Sequence, residues 1–189
     1  MREIYNNSCA HYTSRLVENF LNTIITVYAA LFPICNPLGV APLFLTITRG
    51  NKSQRRRQQA LKGSIFVFFI LTAFLLLGSL ILNFFGISLD GVHIAGGLVV
   101  TGIGLRLLHE APDSARQSIE TEEAMDKADI SFSPLALPLL AGPGTIAVVM
   151  TKSSQYEFDF IPLAAAVVAI FLLSVTCWLI LSQADRILE

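Results

Sequence analysis

Uncharged apolar runs occupy residues 22–48, 63–85, 91–105, 130–151 and 160–181, separated by short polar stretches. A helix needs about 20 apolar residues to cross a hydrocarbon core of roughly 30 Å. The second and fifth runs meet this without interruption. The third is short, but Leu107 and Leu108 extend it and Arg106 can snorkel to the interface. The first is longer than one crossing needs, which fits a broken or tilted helix. The fourth holds Pro134, Pro138 and Pro143, so it reads either as a full crossing or as a re-entrant hairpin. The pattern predicts an all-α, multi-pass transmembrane helical bundle.

Two of these runs are broken by proline and glycine at membrane depth: Asn36-Pro37-Leu38-Gly39 in the first, and Gly142-Pro143-Gly144-Thr145 in the fourth. Proline has no N–H and leaves the carbonyl four residues earlier without its helical partner. In hydrocarbon an unpaired backbone group costs several kcal/mol unless protein or trapped water satisfies it. Carbonyls at Ala29, Pro33, Ile130 and Pro134 are freed in this sense. Amides at Gly144, Thr145 and Ile146 would present the positive end of a half-helix. Breaks of this kind in both halves of a chain point to a polar site between them, or else serve as kinks and close-packing points.

Charge sets an expected orientation. The chain is 53% hydrophobic and 14% charged, against roughly 25% charged in soluble domains. Residues 49–62 carry Arg49, Lys52, Arg55, Arg56, Arg57 and Lys62 and no acid. Basic residues in short loops mark the cytoplasmic side. The amino terminus is then external, with no stretch resembling a signal peptide. The first, third and fifth crossings run inward, and the second and fourth run outward. As a single membrane domain, 1–189 divides into an external segment 1–21, a first three-helix unit 22–108, an acidic cytoplasmic loop 109–129 and an incomplete second unit 130–189. The two broken runs point in opposite directions, as in an inverted repeat. A shift of 105 residues superposes Pro33 on Pro138 and Gly39 on Gly144; matching the breaks themselves needs a shift of 106.

Other motifs read more plainly. Threonines Thr46, Thr145 and Thr151 are expected to bond back to their own helices. Asn36 either contacts a solute or hydrogen-bonds to the backbone that Pro37 frees. His93 with Asp90 reads as an interfacial pair rather than a proton relay. The glycine-rich run through Gly96, Gly97, Thr101, Gly102 and Gly104 reads as packing surface, with Gly97/Thr101 a small-xxx-small pair. Cys9, Cys35 and Cys177 show neither metal-ligand nor disulfide-framework spacing. The triplet Arg55–Arg57 reads as a topology signal with some attraction for lipid headgroups.

Asn36-Pro37-Leu38-Gly39, Phe85-Gly86-Ile87-Ser88, the stretch 91–98 and above all residues 134–146 resemble the MarC family of bacterial inner-membrane proteins. The resemblance runs from about Asn19 to Gln183. It implies six membrane-spanning helices in the plasma membrane and no firmly established activity, and a sixth helix would lie beyond the fifth run.

The functional expectation is a secondary transporter or exporter of a small solute, with Asn36, Pro37, Gly39, Gly142, Pro143, Gly144 and Thr145 as substrate-binding positions. No nucleotide-binding motif is present, so an ion gradient would supply the energy. The alternative is a non-transporting membrane scaffold or accessory subunit. No enzyme activity, cofactor, metal or nucleic acid is expected. The expected partners are the lipid bilayer, a small solute or ion, and a second copy of the chain.

Overall fold

Proline decides where the helices stop. In the computed structural model, which describes residues 2–109, 130–156 and 159–184, the elements are α1 (Arg2–Cys35), α2 (Pro37–Ile47), α3 (Ser53–Phe85), α4 (Leu89–His109), α5 (Ser131–Leu140), α6 (Pro143–Gln155) and α7 (Phe160–Ser182). No strand occurs among the described residues, so the fold is an all-α membrane bundle. The ring of a proline clashes with the preceding residue in the right-handed helical region. Four residues before prolines accordingly leave that region: Asn36 (φ 43°, ψ 57°), Ser133 (φ −132°, ψ 125°), Leu137 (φ −123°, ψ 128°) and Gly142 (φ −73°, ψ 174°). Pro33 and Pro42 instead sit inside continuous helices.

Three helical stretches among the described residues are long and apolar enough to cross a membrane: Arg15–Cys35, Ser53–Phe85 and Phe160–Ser182. They correspond to the first, second and fifth apolar runs, although α1 also extends back through most of the segment expected to precede the first crossing. With 21 residues, α4 is about 31 Å long at 1.5 Å per residue. A tight hairpin joins it to α3. Gly86 adopts φ 63°, the Ile87 amide donates to the Leu82 carbonyl at 2.9 Å, and Ser88 Oγ accepts from the Gly91 amide at 3.1 Å.

The fourth apolar run does not double back. Near the start of α3, Gly63 faces the Leu135 side chain and the Ser131 carbonyl of α5; farther along, the Ser79 amide donates to Ser153 Oγ of α6 at 3.0 Å. These contacts are roughly 24 Å apart along α3. The broken segment α5–α6 therefore runs lengthwise beside α3 in the same direction, and the re-entrant alternative falls. Helix α7 runs the other way: Phe171 packs edge-on against Phe68, while Trp178 and Leu61 meet toward the start of α3.

The core forms where α7 meets α1, α2 and α3. Its buried stripe, Ala165, Ala166, Ala169, Ile170, Leu173 and Cys177, recurs at helical spacing. Hydropathy cannot mark a face on a helix that is apolar all round; the small side chains do, because they let backbones approach. On the outside, Phe69, Leu80, Phe84 and Phe85 are exposed, as a lipid-facing surface requires. Helix α4 packs chiefly on α6, and here one expectation is corrected. The close contact is Gly96 against Ala147, where an added Cβ would lie 3.2 Å from the alanine Cβ; Gly97 faces open space and Thr101 is exposed. The close approach of α4 to α6 is thus made at Gly96 rather than at Gly97. The His93 side chain and the acidic loop 110–129 lie outside the described residues.

Candidate functional site at the two helix breaks

At the first break a single residue separates two helices. Asn36 takes the left-handed conformation, which asparagine tolerates better than most residues, and caps α2 by accepting the Gly39 amide on Oδ1 at 3.1 Å. Pro37 occupies the first helical position, where its missing N–H costs nothing. The tight cap explains the glycine three residues on: a Cβ at Gly39 would run into the Asn36 side chain. The amide of Asn36 thus has a structural job, as a cap for the Gly39 amide rather than as a partner of the carbonyl that Pro37 frees. Its side chain is exposed, and Pro37 behind it is buried.

The second break has no such cap. Around α5 the amides donate to carbonyls five residues back, from Leu135 to Ile130 at 3.1 Å and from Ala141 to Ala136 at 2.8 Å. This corrects the expectation at Ile130. Its carbonyl is freed by Pro134 but is taken up one residue later, because the extended Ser133 widens the turn. Gly142 then precedes α6, which opens on Pro143, and among the described residues no side chain caps its first amides. Gly144 and Thr145 are buried. The Thr145 hydroxyl bonds across the break to the Leu140 carbonyl at 3.3 Å, and Thr46 bonds back to Pro42 at 3.0 Å.

The breaks correspond in structure as well as in sequence. Asn36 and Gly142 each precede a helix whose first residue is proline, which selects the 106-residue shift. The flanking elements pack crosswise: α1 lies on α6, and α2 lies on α5. Cys35, Val40 and Ala41 from around the first break share one buried hydrophobic cluster with Leu140 and Ala141 beside the second. Two segments that run in opposite directions side by side, with their interruptions at corresponding places, pack in this crossed manner.

These motifs and this architecture can be set against known proteins. A family model described as MarC family integral membrane protein matches residues 21–189. The chain belongs to the MarC family. It is 42% identical over 158 residues to the membrane protein YvbG of Bacillus subtilis (strain 168), covering 79% of this chain and 74% of the relative. It is 41% identical over 138 residues to the inner membrane protein MarC of Citrobacter koseri, covering 69% and 62%, and 38% identical over 158 residues to MarC of Escherichia coli (strain K12), covering 78% and 72%. No solved structure matches. MarC membership agrees with the resemblance carried by residues 134–146 and makes the chain an integral membrane protein.

Sequence reading missed three features. Cys35 and Cys177 meet in the core. Arg56 donates to the Thr48 carbonyl at the end of α2 at 3.4 Å, so one arginine of the basic triplet is tied to the fold. A groove opens between α3 and α7, with Arg57 and Trp178 at its polar end. The signal for the groove was available in principle. A tryptophan near the end of an apolar run belongs at the membrane interface, and the expected orientation puts it on the same side as the arginines.

Proposed function

We propose that this chain is a multi-pass inner-membrane protein, amino terminus external, that works as a secondary transporter or exporter of a small polar solute between its two breaks. The observation that carries the reading is the start of α6, where Gly144 and Thr145 are buried and their amides have no capping side chain among the described residues. Such amides favour an anion or the negative end of a dipole, strengthened by the helix macrodipole. Crosswise packing of the flanking helices brings the two breaks close, with apolar side chains packed between them, and paired breaks of this kind are the arrangement in which alternating access is built.

The test is current on a solid-supported membrane, using proteoliposomes of this chain and of YvbG challenged with gradients of phosphate, small carboxylates and amino acids. A solute-dependent current that Gly144→Leu abolishes, with membrane insertion intact, is the expected result. Leucine there closes the approach to the amides without adding charge. Absence of current with both proteins across the panel, or an unchanged current in the variant, favours the scaffold reading. That second reading has its own observation: Asn36 Oδ1 and the Thr145 hydroxyl already bond within the fold.

A further inference from the structure

The groove between α3 and α7 changes character along its length. Its deeper part, about 210 Å³, is walled by Leu61, Ile65, Phe68, Phe69, Phe171 and Val175. The next part, about 490 Å³, shares Leu61 and Trp178 with it and is walled by Ser53, Gln54, Arg57 and Gln58. From Arg57 to Phe69 the groove covers roughly 18 Å of α3, close to one leaflet of a hydrocarbon core about 30 Å thick. One further polar group lies on its wall. Ser64 is 3% exposed, and its Oγ has no hydrogen-bond partner among the described residues.

We infer that this groove is a binding site for one anionic phospholipid, with an acyl chain along the phenylalanines and the phosphate at Arg57. Charge selects the occupant. Residues 49–62 hold six basic side chains and no acid, and Arg56 of that set is engaged at the Thr48 carbonyl while Arg57 lines the groove. An arginine near an anionic headgroup is favoured electrostatically and offers a planar fork of donors to a phosphate. Trp178 sits where the apolar and polar parts join, the level at which its amphipathic ring belongs. Ser64, about two turns deeper than Arg57, adds a hydroxyl to the apolar part of the wall. A zwitterionic lipid would place its own ammonium among the arginines and lose much of this attraction. The site stands apart from the helix breaks and does not depend on transport.

Trp178 is the chain's single tryptophan, so its fluorescence reports on this groove alone. The chain is reconstituted in dioleoylphosphatidylcholine with increasing fractions of brominated phosphatidylglycerol or of brominated phosphatidylcholine. The brominated anionic lipid should reach half-maximal quenching at about a fivefold lower mole fraction. Arg57→Gln should bring the ratio close to one, while Arg57→Lys and the groove-remote Arg49→Gln keep most of it. Equal quenching by both lipids in the unaltered chain would overturn the proposal in favour of bulk lipid. Absence of quenching by either would mean that protein, such as a second copy, covers the groove. A loss in Arg49→Gln as large as in Arg57→Gln would reduce the effect to diffuse loop charge and overturn the site. Unchanged helicity and elution volume in each variant make the quenching ratios comparable.

Discussion

Cys35 Sγ lies 3.7 Å from Cys177 Sγ, where the last turn of α1 meets the buried face of α7. Both thiols are fully buried, 142 residues apart in the chain, so the pair reports directly on how the two ends of the fold come together. Copper(II)-phenanthroline should take two electrons from the pair and release two protons, leaving an intramolecular disulfide. The check is the mass of the linked peptides after proteolysis, in a Cys9→Ala background. Cys35→Ala should abolish the product. Failure of the pair to couple even after partial opening in mild denaturant, where the oxidant reaches both thiols, would mean that α1 and α7 do not meet as described.

Asn36 gives a prediction in which two small substitutions diverge. Asn36→Ala removes the cap, worth about 0.5–2 kcal/mol, and forces a Cβ residue without a polar side chain into the left-handed region at about 1–2 kcal/mol. Asn36→Gly loses the cap for only a few tenths of a kcal/mol and relieves the backbone. Thermal unfolding in one detergent should therefore show alanine clearly destabilised and glycine near the parent. A glycine variant that melts normally but loses solute-driven current would assign the Asn36 amide a contact with the solute.

How much of this was legible in the chain follows from how local the physics is. The breaks at Asn36 and Gly142 were visible because proline acts on its own residue and the one before it. The course of the fourth run was not, since a full crossing and a re-entrant hairpin have the same hydropathy; contacts at Gly63 and Ser79 decide it. The widened turn that rescues the Ile130 carbonyl depends on Ser133 adopting an extended conformation, which a count of missing donors does not reveal. The glycine-rich run of α4 was read as packing surface as a whole, and Gly96 does pack on Ala147 whereas Gly97 faces open space; small residues occur around much of that helix, and only a neighbour chooses among them.

That correction is itself testable. A side chain at Gly78 would start 3.0 Å from Ser153 and 3.3 Å from the backbone of Met150, whereas Gly97 faces open space. Gly78→Leu should lower stability by about 1–3 kcal/mol through overpacking, and Gly97→Leu should leave the melting temperature within error. If Gly97→Leu instead shifts the elution volume, the glycine face of α4 serves contacts between chains.

Orientation can be read by labelling intact cells, again in the Cys9→Ala background. Ser53→Cys, at the start of α3, should react with an impermeant maleimide only after permeabilisation, because the proposed topology puts the basic stretch around it on the cytoplasmic side. Ser88→Cys, in the hairpin at the other end of α3, should label from outside. The reverse pattern would invert the proposed topology.

The break between α1 and α2 behaves as a detent rather than a hinge. Pro37 has its own φ locked near −65°, so any swing of α2 against α1 must be taken up at Asn36. That residue has few resting places: the left-handed well it now occupies, the extended region, and a right-handed helical well that the following proline disfavours. Movement of α2 would therefore come in clicks between discrete settings, each redirecting the whole short helix, instead of a smooth arc.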